Sequence, residues 1–275
     1  MRILITGSKG QLGRALEARL PDAIGADLPE IDITQPAAIE AAVNAVQPEV
    51  IIHCAALTDV DGCARDPELA YRVNGMGTQN VAQAAAGAGA ALVYISSNEV
   101  FDGTRREPYS EFDATNPINP YARSKLAGEW FAAHLTSRFY IVRTAWLTGR
   151  GGRNFVHRIQ QLADERGQVR VVRDETANPT FIEDLAEAII KLVQSGRFGV
   201  YHLTNAGYCS RYEYARKILE LSGRGHIPVE PITRADFARP STPPEFSPLA
   251  NTTAAALGIT LRPWEEALEE FLKSG

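Results

Sequence analysis

The chain has 275 residues, 45% of them hydrophobic and 22% charged, and a formal net charge of -5 at pH 7, which is typical of a globular protein and excludes extended disorder. No run of lysine or arginine forms the basic stripe that a nucleic-acid partner requires, and no apolar run approaches the roughly 18 residues of a membrane span. The three cysteines form no CxxC motif and the first residues lack the features of a signal peptide, so we expect a cytoplasmic protein.

Strands and helices alternate along the first half of the chain. Residues 2–6 form a short apolar strand, and Leu12, Leu16 and Leu20 then recur every four residues, which is typical of a helix. The same patterns predict strands at 24–27, 50–55, 91–97 and 139–144 and helices at 36–46, 67–87 and 120–134. This alternation predicts a parallel sheet that is covered by helices on both faces.

The pattern loosens after about residue 145. Helices are predicted at 155–166 and 182–195, strands at 169–172 and 199–203, and a further helix starts at the capping-box pair Ser210 and Glu213. Residues 240–248 contain four prolines and predict an irregular loop, either a lid or a connector. We expect an α/β protein with a Rossmann-type doubly wound sheet over 1–147, rejoined at about 176–206, and a smaller α/β substrate domain over 148–175 and 207–275.

A glycine-rich turn follows the first strand directly and opens the first helix. Gly7, Gly10 and Gly13 have the spacing and the context of a dinucleotide-binding turn, with Gln11 and Leu12 between them. Glycines allow the backbone to approach a pyrophosphate, and the start of the helix supplies free N–H groups and partial positive charge. The spacing differs from that of a P-loop. The turn therefore predicts a dinucleotide cofactor.

The choice between NADH and NADPH stays open at this level. Asp27 ends the second predicted strand, where a carboxylate accepts hydrogen bonds from the adenosine ribose and disfavours a 2′-phosphate. Lys9 lies inside the glycine turn and Arg14 just beyond it, and either is placed to reach a 2′-phosphate instead.

Tyr121 and Lys125 lie four residues apart on a predicted helix and therefore share one face. A free tyrosine titrates near pH 10, so proton donation at neutral pH requires a lower pKa, which a cation within about 4–6 Å supplies. Ser96 and Ser97 end the fourth strand, at the edge of the sheet where ligands of parallel α/β proteins bind. A serine hydroxyl, a phenol and an ammonium together predict redox chemistry at a carbonyl.

These motifs resemble the extended short-chain dehydrogenase/reductases, and more narrowly the dTDP-4-dehydrorhamnose reductase family. The strings that carry the narrower resemblance cover nearly the whole chain: GQLG at 10–13, DIT at 32–34, AALTDVD at 55–61, SSNEVFDG at 96–103, YARSKLAGE at 121–129, RTAW at 143–146, NF at 154–155 and PT at 179–180.

The resemblance implies a role for each matching position. Tyr121 is the proton donor, Lys125 lowers its pKa and binds the cofactor ribose, and Ser97 orients the carbonyl. Beside the glycine turn, the implied cofactor residues are Asp32 and Ile33 at the adenine and Ala55 and Ala56 at the third strand. The implied substrate residues are Thr58, Val60, Asn98 and Trp146 around the sugar and Arg239 at the diphosphate.

The chain departs from the family pattern at three places. Asn98 and Glu99 stand where the family usually has Asp and Tyr, and the late motif that begins at Arg239 is stretched before Ser247. Ala15 replaces a glutamate that binds magnesium at a dimer contact in some members, so we expect no metal.

The resemblance predicts reduction of the C4 ketone of dTDP-4-dehydro-L-rhamnose to dTDP-L-rhamnose with NADPH or NADH, in a possible homodimer. The alternatives are a reductase or epimerase of another nucleotide 4-keto-6-deoxy sugar, and a non-catalytic subunit similar to the regulatory β subunit of methionine adenosyltransferase.

Overall fold

The computed structural model describes residues 1–152 and 154–273. The strands in chain order are β1 Ile3–Thr6, β2 Ile24–Ala26, β3 Val50–His53, β4 Ala91–Ser97, β5 Phe139–Thr144, β6 Leu147–Thr148, β7 Val169–Val172, β8 Thr176–Ala177, β9 Thr180–Phe181, β10 Gly199–His202, β11 Cys209–Ser210 and β12 Val229–Ile232. The helices are α1 Gln11–Arg19, α2 Pro36–Val46, α3 Val60–Arg65, α4 Pro67–Ala70, α5 Gly77–Gly87, α6 Pro120–Leu135, α7 Phe155–Arg166, α8 Ile182–Ser195, α9 Arg211–Leu221, α10 Thr252–Ala256 and α11 Trp264–Lys273.

Six strands form one parallel sheet in the order β10, β5, β4, β3, β1, β2. From β1 the chain moves outward to β2 and then crosses to the other side of β1 to form β3, so the direction of winding reverses between β1 and β3. Such a reversal opens a crevice at the carboxyl ends of the two strands, where α/β proteins bind ligands. The predicted fold class is confirmed.

Several element boundaries differ from the predictions. The helix predicted over 67–87 consists of α4 and α5 joined by a π-helical segment, Tyr71–Met76, whose wider turn faces the end of β3. The third strand ends at His53 rather than at residue 55, because the chain turns away after the Cys54 N–H donates to the carbonyl of Thr6 (2.9 Å). The sequence patterns did not predict α3, β12 or α11.

Hydrophobic side chains form one layer on each face of the sheet. Leu16 of α1 and Ile189 of α8 belong to the first layer, and Val81 of α5 and Ala132 of α6 belong to the second. A third cluster joins α7, β7, α9 and α11 around Tyr214, away from the six-stranded sheet. The sheet with its two layers forms the frame from which the strand ends project.

A buried ion pair ties α6 to the sheet. Glu129 of α6 accepts two hydrogen bonds from the guanidinium of Arg143 on β5, at 2.9 and 2.7 Å, and a third from Ser96 of β4 at 2.6 Å. Both charged residues are nearly inaccessible, at 5% and 6% exposure. Because each carboxylate oxygen is satisfied, the pair fixes the helix over β4 and β5 without leaving an unpaired buried charge.

We predict that Glu129→Gln lowers the free energy of unfolding by about 3–5 kcal/mol, because the Arg143 guanidinium then stays buried without a counter-charge. Urea denaturation of wild type and variant measures the difference. Glu187→Gln is the matched control, since it removes an exposed ion pair with Lys191 and should cost less than about 1 kcal/mol. Equal effects of the two substitutions would contradict the prediction.

Candidate active site

The glycine turn lies directly against the end of β3. Gly7 has a left-handed backbone (φ +72°), and a Cβ on it would lie 2.4 Å from the backbone nitrogen of Ala55. A Cβ on Gly13 would lie 2.3 Å from the carbonyl oxygen of Gly7, whereas one on Gly10 would stay 3.1 Å away. Only glycine fits at the first and third positions, and half-buried Ala55 and Ala56 continue the floor of the crevice.

Asp27 lies just beyond β2 and holds the turn by its carboxylate. It accepts hydrogen bonds from the backbone N–H groups of Lys9 (2.8 Å) and Leu28 (2.7 Å). The Lys9 ammonium donates to the Leu28 carbonyl (2.7 Å) and pairs with Glu30 (2.8 Å), and the guanidinium of Arg14 donates to the Lys9 carbonyl. Both basic side chains considered for a 2′-phosphate therefore contact the chain itself, Lys9 the segment after β2 and Arg14 the glycine turn.

The other residues predicted to bind the cofactor differ in their surroundings: two are buried in the hydrophobic layers and two make polar or surface contacts. The side chains of Leu12 and Ile33 are buried in the hydrophobic layers, each 7% exposed, and so contribute to packing. Asp32 accepts hydrogen bonds from the N–H and hydroxyl of Thr34, both at 2.8 Å. The Gln11 side chain leaves the start of α1 and lies against the segment after β6.

The predictions did not include Asn74, which connects the crevice to α6. Its side chain accepts a hydrogen bond from the N–H of Leu57 (2.7 Å) and donates to the Leu57 carbonyl (3.0 Å) and to Ser124 of α6 (2.9 Å). Asn74 lies in the π-helical segment and is 1% exposed. A buried asparagine inside an apolar helical pattern is the signal that could have identified it.

Ser97 and Tyr121 meet at the carboxyl end of β4. The Ser97 hydroxyl donates to Oδ1 of Asn98 (3.4 Å) and accepts a hydrogen bond from the backbone N–H of Glu99 (3.2 Å). It lies close enough to the Tyr121 side chain to lower the pKa of that phenol. Ser97 is held by the strand, and Tyr121 by the first turn of α6, which Asn119 caps through the N–H of Ala122 (2.8 Å). The structure therefore places the two hydroxyl groups that the sequence predicted to act together near each other.

Lys125 is buried beneath this pair, on the same helix. It is 3% exposed, and its ammonium lies 4.3 Å from the centre of the Tyr94 ring. Burial lowers the pKa of Lys125 to about 7, an effect that the negative charge of Glu129 partly offsets. Burial lowers the pKa of His53 to about 3 and raises that of Cys54 to about 12, and the charge of Lys125 acts towards a lower pKa at both, which places the ammonium near the end of β3.

The pKa of Tyr121 is raised in this structure. Burial is the main cause, and the negative charge of Glu99 adds to it, while the nearby Ser97 hydroxyl acts in the opposite direction. Burial and Glu99 are thus the main influences on the pKa of Tyr121 within the chain, and a lowering of this pKa by Lys125 stays a prediction.

Four of the five predicted substrate residues line one small cavity, of about 70 Å³, beside Ser97. They are Val60, Asn98, Trp146 and Arg239, and Glu99, Glu175, Arg211, Pro243, Pro244 and Ser247 complete the lining. The exposed Thr58 lies outside it. The Trp146 backbone is left-handed (φ 42°), which is rare for a bulky residue. The Arg211 guanidinium stacks on its ring at 3.6 Å.

The loop over 240–248 forms one wall of this cavity. Asn98 donates to the Ser247 hydroxyl (2.7 Å), and Asn119 donates to the Thr242 carbonyl (3.2 Å). At the start of the loop, Asp61 accepts hydrogen bonds from Arg239 (2.9 Å) and from the N–H of Ser241 (3.2 Å). The loop is irregular, as predicted, but side chains from the residue after β4, from α3 and from the start of α6 hold it against the site.

A larger groove of about 1190 Å³ lies next to the small cavity. Glu175, Arg211 and Arg239 line both spaces, and the outer part of the groove is formed by α7, β7 and residues near β12, including Phe155 and Phe237. Within residues 1–152 and 154–273, no three His, Cys, Asp or Glu side chains form a cluster that could hold a metal ion. Over the same ranges, no helix has the length and apolarity of a membrane span.

A glycine turn at the crevice of a doubly wound sheet, with serine, tyrosine and lysine at its edge, defines the class of short-chain dehydrogenases/reductases. Comparison with known proteins agrees: the family model described as "RmlD substrate binding domain" matches residues 1–275. The chain belongs to the dTDP-4-dehydrorhamnose reductase family, and the predicted family and reductase class are confirmed.

Three relatives illustrate the match. A dTDP-4-dehydrorhamnose reductase of Mycobacterium tuberculosis is 41% identical, over 98% of this chain and 92% of its own. One of Bacillus anthracis, solved in complex with NADP, superposes with a TM-score of 0.96 at 39% identity, covering 100% of this chain and 99% of that one. A dTDP-4-keto-6-deoxy-D-glucose reductase of Streptomyces niveus is 36% identical over 98% of this chain and 96% of its own.

We predict that Gly13→Ala weakens the binding of NADPH and NADH, because the added methyl group overlaps the Gly7 carbonyl and displaces the turn. The dissociation constants should rise at least about tenfold, which corresponds to the loss of one charge-assisted hydrogen bond. Quenching of intrinsic fluorescence measures the dissociation constant. Gly87→Ala is the matched control, since a Cβ there meets no atom within 4 Å. If both variants bound the dinucleotides like wild type, the turn would not be the binding site.

Proposed function

We propose that the chain reduces the C4 ketone of dTDP-4-dehydro-L-rhamnose to dTDP-L-rhamnose, with NADPH or NADH as the hydride donor. The observation that carries the proposal is the placement of Ser97 and Tyr121 near each other at the carboxyl end of β4, next to Asn98 of the cavity that the predicted sugar residues line. The names of the relatives support the substrate.

The residues of the crevice fit a dinucleotide. The glycine turn leaves the N–H groups at the start of α1 without side-chain caps, and Gly7 approaches β3 so closely that no side chain intervenes. When bound, the reduced nicotinamide supplies the hydride. We assign the pyrophosphate to Gly10 through Gly13, the ribose of the adenosine to Asp27, and the nicotinamide ribose to Lys125. The NADP complex of the Bacillus anthracis relative supports this use of the crevice.

The hydroxyl pair acts on the carbonyl. Ser97 donates a hydrogen bond to the carbonyl oxygen, which polarises it, and Tyr121 donates its proton to the alkoxide that reduction produces. Because the chain alone raises the pKa of Tyr121, the tyrosine is fully protonated before the reaction. Positive charge is therefore required at the site to stabilise the tyrosinate that proton donation leaves behind, and protonated Lys125 supplies part of it.

The two adjoining spaces suit the two parts of a nucleotide sugar. The small cavity has room for sugar atoms, and the groove, with Phe155 and Phe237 among its lining residues, has the size and the aromatic surface to accept a base. Arg211 and Arg239 lie between them, where a diphosphate bound across both spaces would pass. We therefore propose a substrate domain over 148–175 and 207–275 and a dinucleotide domain over 1–147 and about 176–206.

A reductase of another 4-keto-6-deoxy sugar is the second candidate. It is favoured by Asn98 and Glu99 in the cavity, where the family usually has Asp and Tyr, and by the Streptomyces niveus relative, whose name specifies a different sugar. The intact Ser97, Tyr121 and Lys125 argue against a non-catalytic subunit. A homodimer and a cytoplasmic location stay predictions.

We expect Tyr121→Phe to lower kcat about 10²- to 10⁴-fold, because general acid catalysis contributes about that factor, while KM changes little. Loss of reduced-cofactor absorbance with dTDP-4-dehydro-L-rhamnose measures the rate, and product analysis separates reduction from epimerisation. Tyr71→Phe, which removes an exposed phenol 46% accessible to solvent, is the control and should leave the rate unchanged. A Tyr121→Phe rate within about twofold of wild type would exclude the proton-donor role.

The pH dependence should report Lys125. Its pKa of about 7 lies below the usual value, so the free protein loses the ammonium charge as the pH rises through 7. We expect kcat/KM for the reduced dinucleotide to fall by about tenfold per pH unit above that point, since this ratio reflects ionisation in the free enzyme. Glu129→Gln should move the fall to lower pH, because Glu129 raises the lysine pKa. A profile that is flat between pH 6 and 9 would mean that the charge is not required.

A further inference from the structure

Glu99 is the carboxylate of the small cavity that forms no ion pair within residues 1–152 and 154–273. Glu175 lies 3.7 Å from Arg211 and 3.9 Å from Arg239, and Arg239 also contacts Asp61 at 2.9 Å. The two guanidinium groups that line the cavity are thus already matched by these carboxylates. Because neither guanidinium pairs with Glu99, its carboxylate can accept a hydrogen bond from a neutral donor such as a hydroxyl group.

One oxygen of Glu99 is held and the other is free. Oε2 accepts a hydrogen bond from Nδ2 of Asn119 at 2.7 Å, whereas Oε1 has no hydrogen-bond partner in the described part of the chain. Asn119 is 2% exposed and caps α6 through the N–H of Ala122, so the amide that holds the carboxylate is itself fixed. A fixed carboxylate with one unused oxygen, in the lining of a cavity, is a ready acceptor for a ligand hydroxyl.

Glu99 also lies next to the reacting groups. Its backbone N–H donates to the Ser97 hydroxyl at 3.2 Å, and its charge raises the pKa of Tyr121. The cavity of about 70 Å³ holds about five water-sized groups at roughly 10–15 Å³ each, which is part of a sugar ring. A ring with its carbonyl oxygen at Ser97 and Tyr121 therefore brings the substituents on the neighbouring ring carbons within reach of Glu99.

We propose that Glu99 determines the sugar specificity of this site: its free oxygen, Oε1, accepts a hydrogen bond from the hydroxyl on C3, beside the C4 carbonyl. This inference rests on the proposed function. In a 4-keto-6-deoxy sugar C5 carries a methyl group, so C3 bears the hydroxyl next to the reacting carbon. Sugars that lack it leave the buried acceptor unsatisfied and are reduced poorly, by about 10- to 100-fold in kcat/KM, the effect of one hydrogen bond to a charged group.

A double-mutant cycle between enzyme and substrate tests the pairing. Wild type and Glu99→Leu are assayed with dTDP-4-dehydro-L-rhamnose and with its 3-deoxy analogue, using NADPH. Removal of the hydroxyl should lower kcat/KM about 10- to 100-fold in wild type and less than about threefold in the variant. Glu107→Gln is the control: it removes an exposed carboxylate that does not line the cavity and should behave like wild type.

Two further measurements separate specificity from folding. The dissociation constant of dTDP, by titration calorimetry, should stay within about twofold in Glu99→Leu, because the groove is unchanged. If that variant loses dTDP binding or unfolds at lower temperature, Glu99→Gln, which keeps an acceptor for Asn119, replaces it in the same cycle. If loss of the 3-hydroxyl lowered kcat/KM equally in wild type and variant, the role of Glu99 would be overturned, while the proposed function would stand. Absence of wild-type turnover with the 3-hydroxy sugar would overturn the proposed function and this inference with it.

Discussion

The bidentate ion pair between Glu129 and Arg143 fixes the position of α6, and the rest of the site depends on that position. The pair holds one helix face over β4 and β5, and Ser96, beside Ser97 in sequence, contributes the third hydrogen bond to the same carboxylate. This buried ion pair therefore fixes how far along the sheet α6 lies and how it is rotated about its axis. Those two quantities decide where Tyr121 and Lys125 lie relative to the end of β4. The carboxylate also partly preserves the charge of Lys125, so one interaction serves both the placement and the ionisation of the lysine.

Local sequence signals predicted the dinucleotide crevice well. The preceding strand, the glycine turn and the start of the following helix span the 11 residues from Ile3 to Gly13, and each requirement is visible in that stretch. Tyr121 and Lys125 were predicted by helical spacing, which depends only on residues within one turn. The structure then explains Gly7 and Gly13 by the close approach of backbone atoms, a contact that sequence spacing implies but does not measure.

The cavity wall could not be predicted in the same way, because its parts are far apart in sequence. Asn98 reaches Ser247 and Asn119 reaches Thr242, across 149 and 123 residues, and no local pattern records such pairings. The raised pKa of Tyr121 was missed for a related reason: burial and the charge of Glu99 raise it, and neither is visible in the helical spacing of Tyr121 and Lys125. A pKa depends on burial, on all nearby charges and on hydrogen bonds, whereas helical spacing identifies only one nearby charge.

The anchored loop has a consequence for how the protein is made. Residues 1–144 contain five of the six strands of the main sheet, and β10 completes it by residue 202, yet the wall around Glu99 awaits residues 241–247. During synthesis from the N-terminus, the strands of the crevice emerge before the residues that close the sugar cavity. The same late part of the chain supplies Ala254, Ile259 and Leu261 to the first hydrophobic layer, so closing the cavity and covering that face of the sheet both await the last residues.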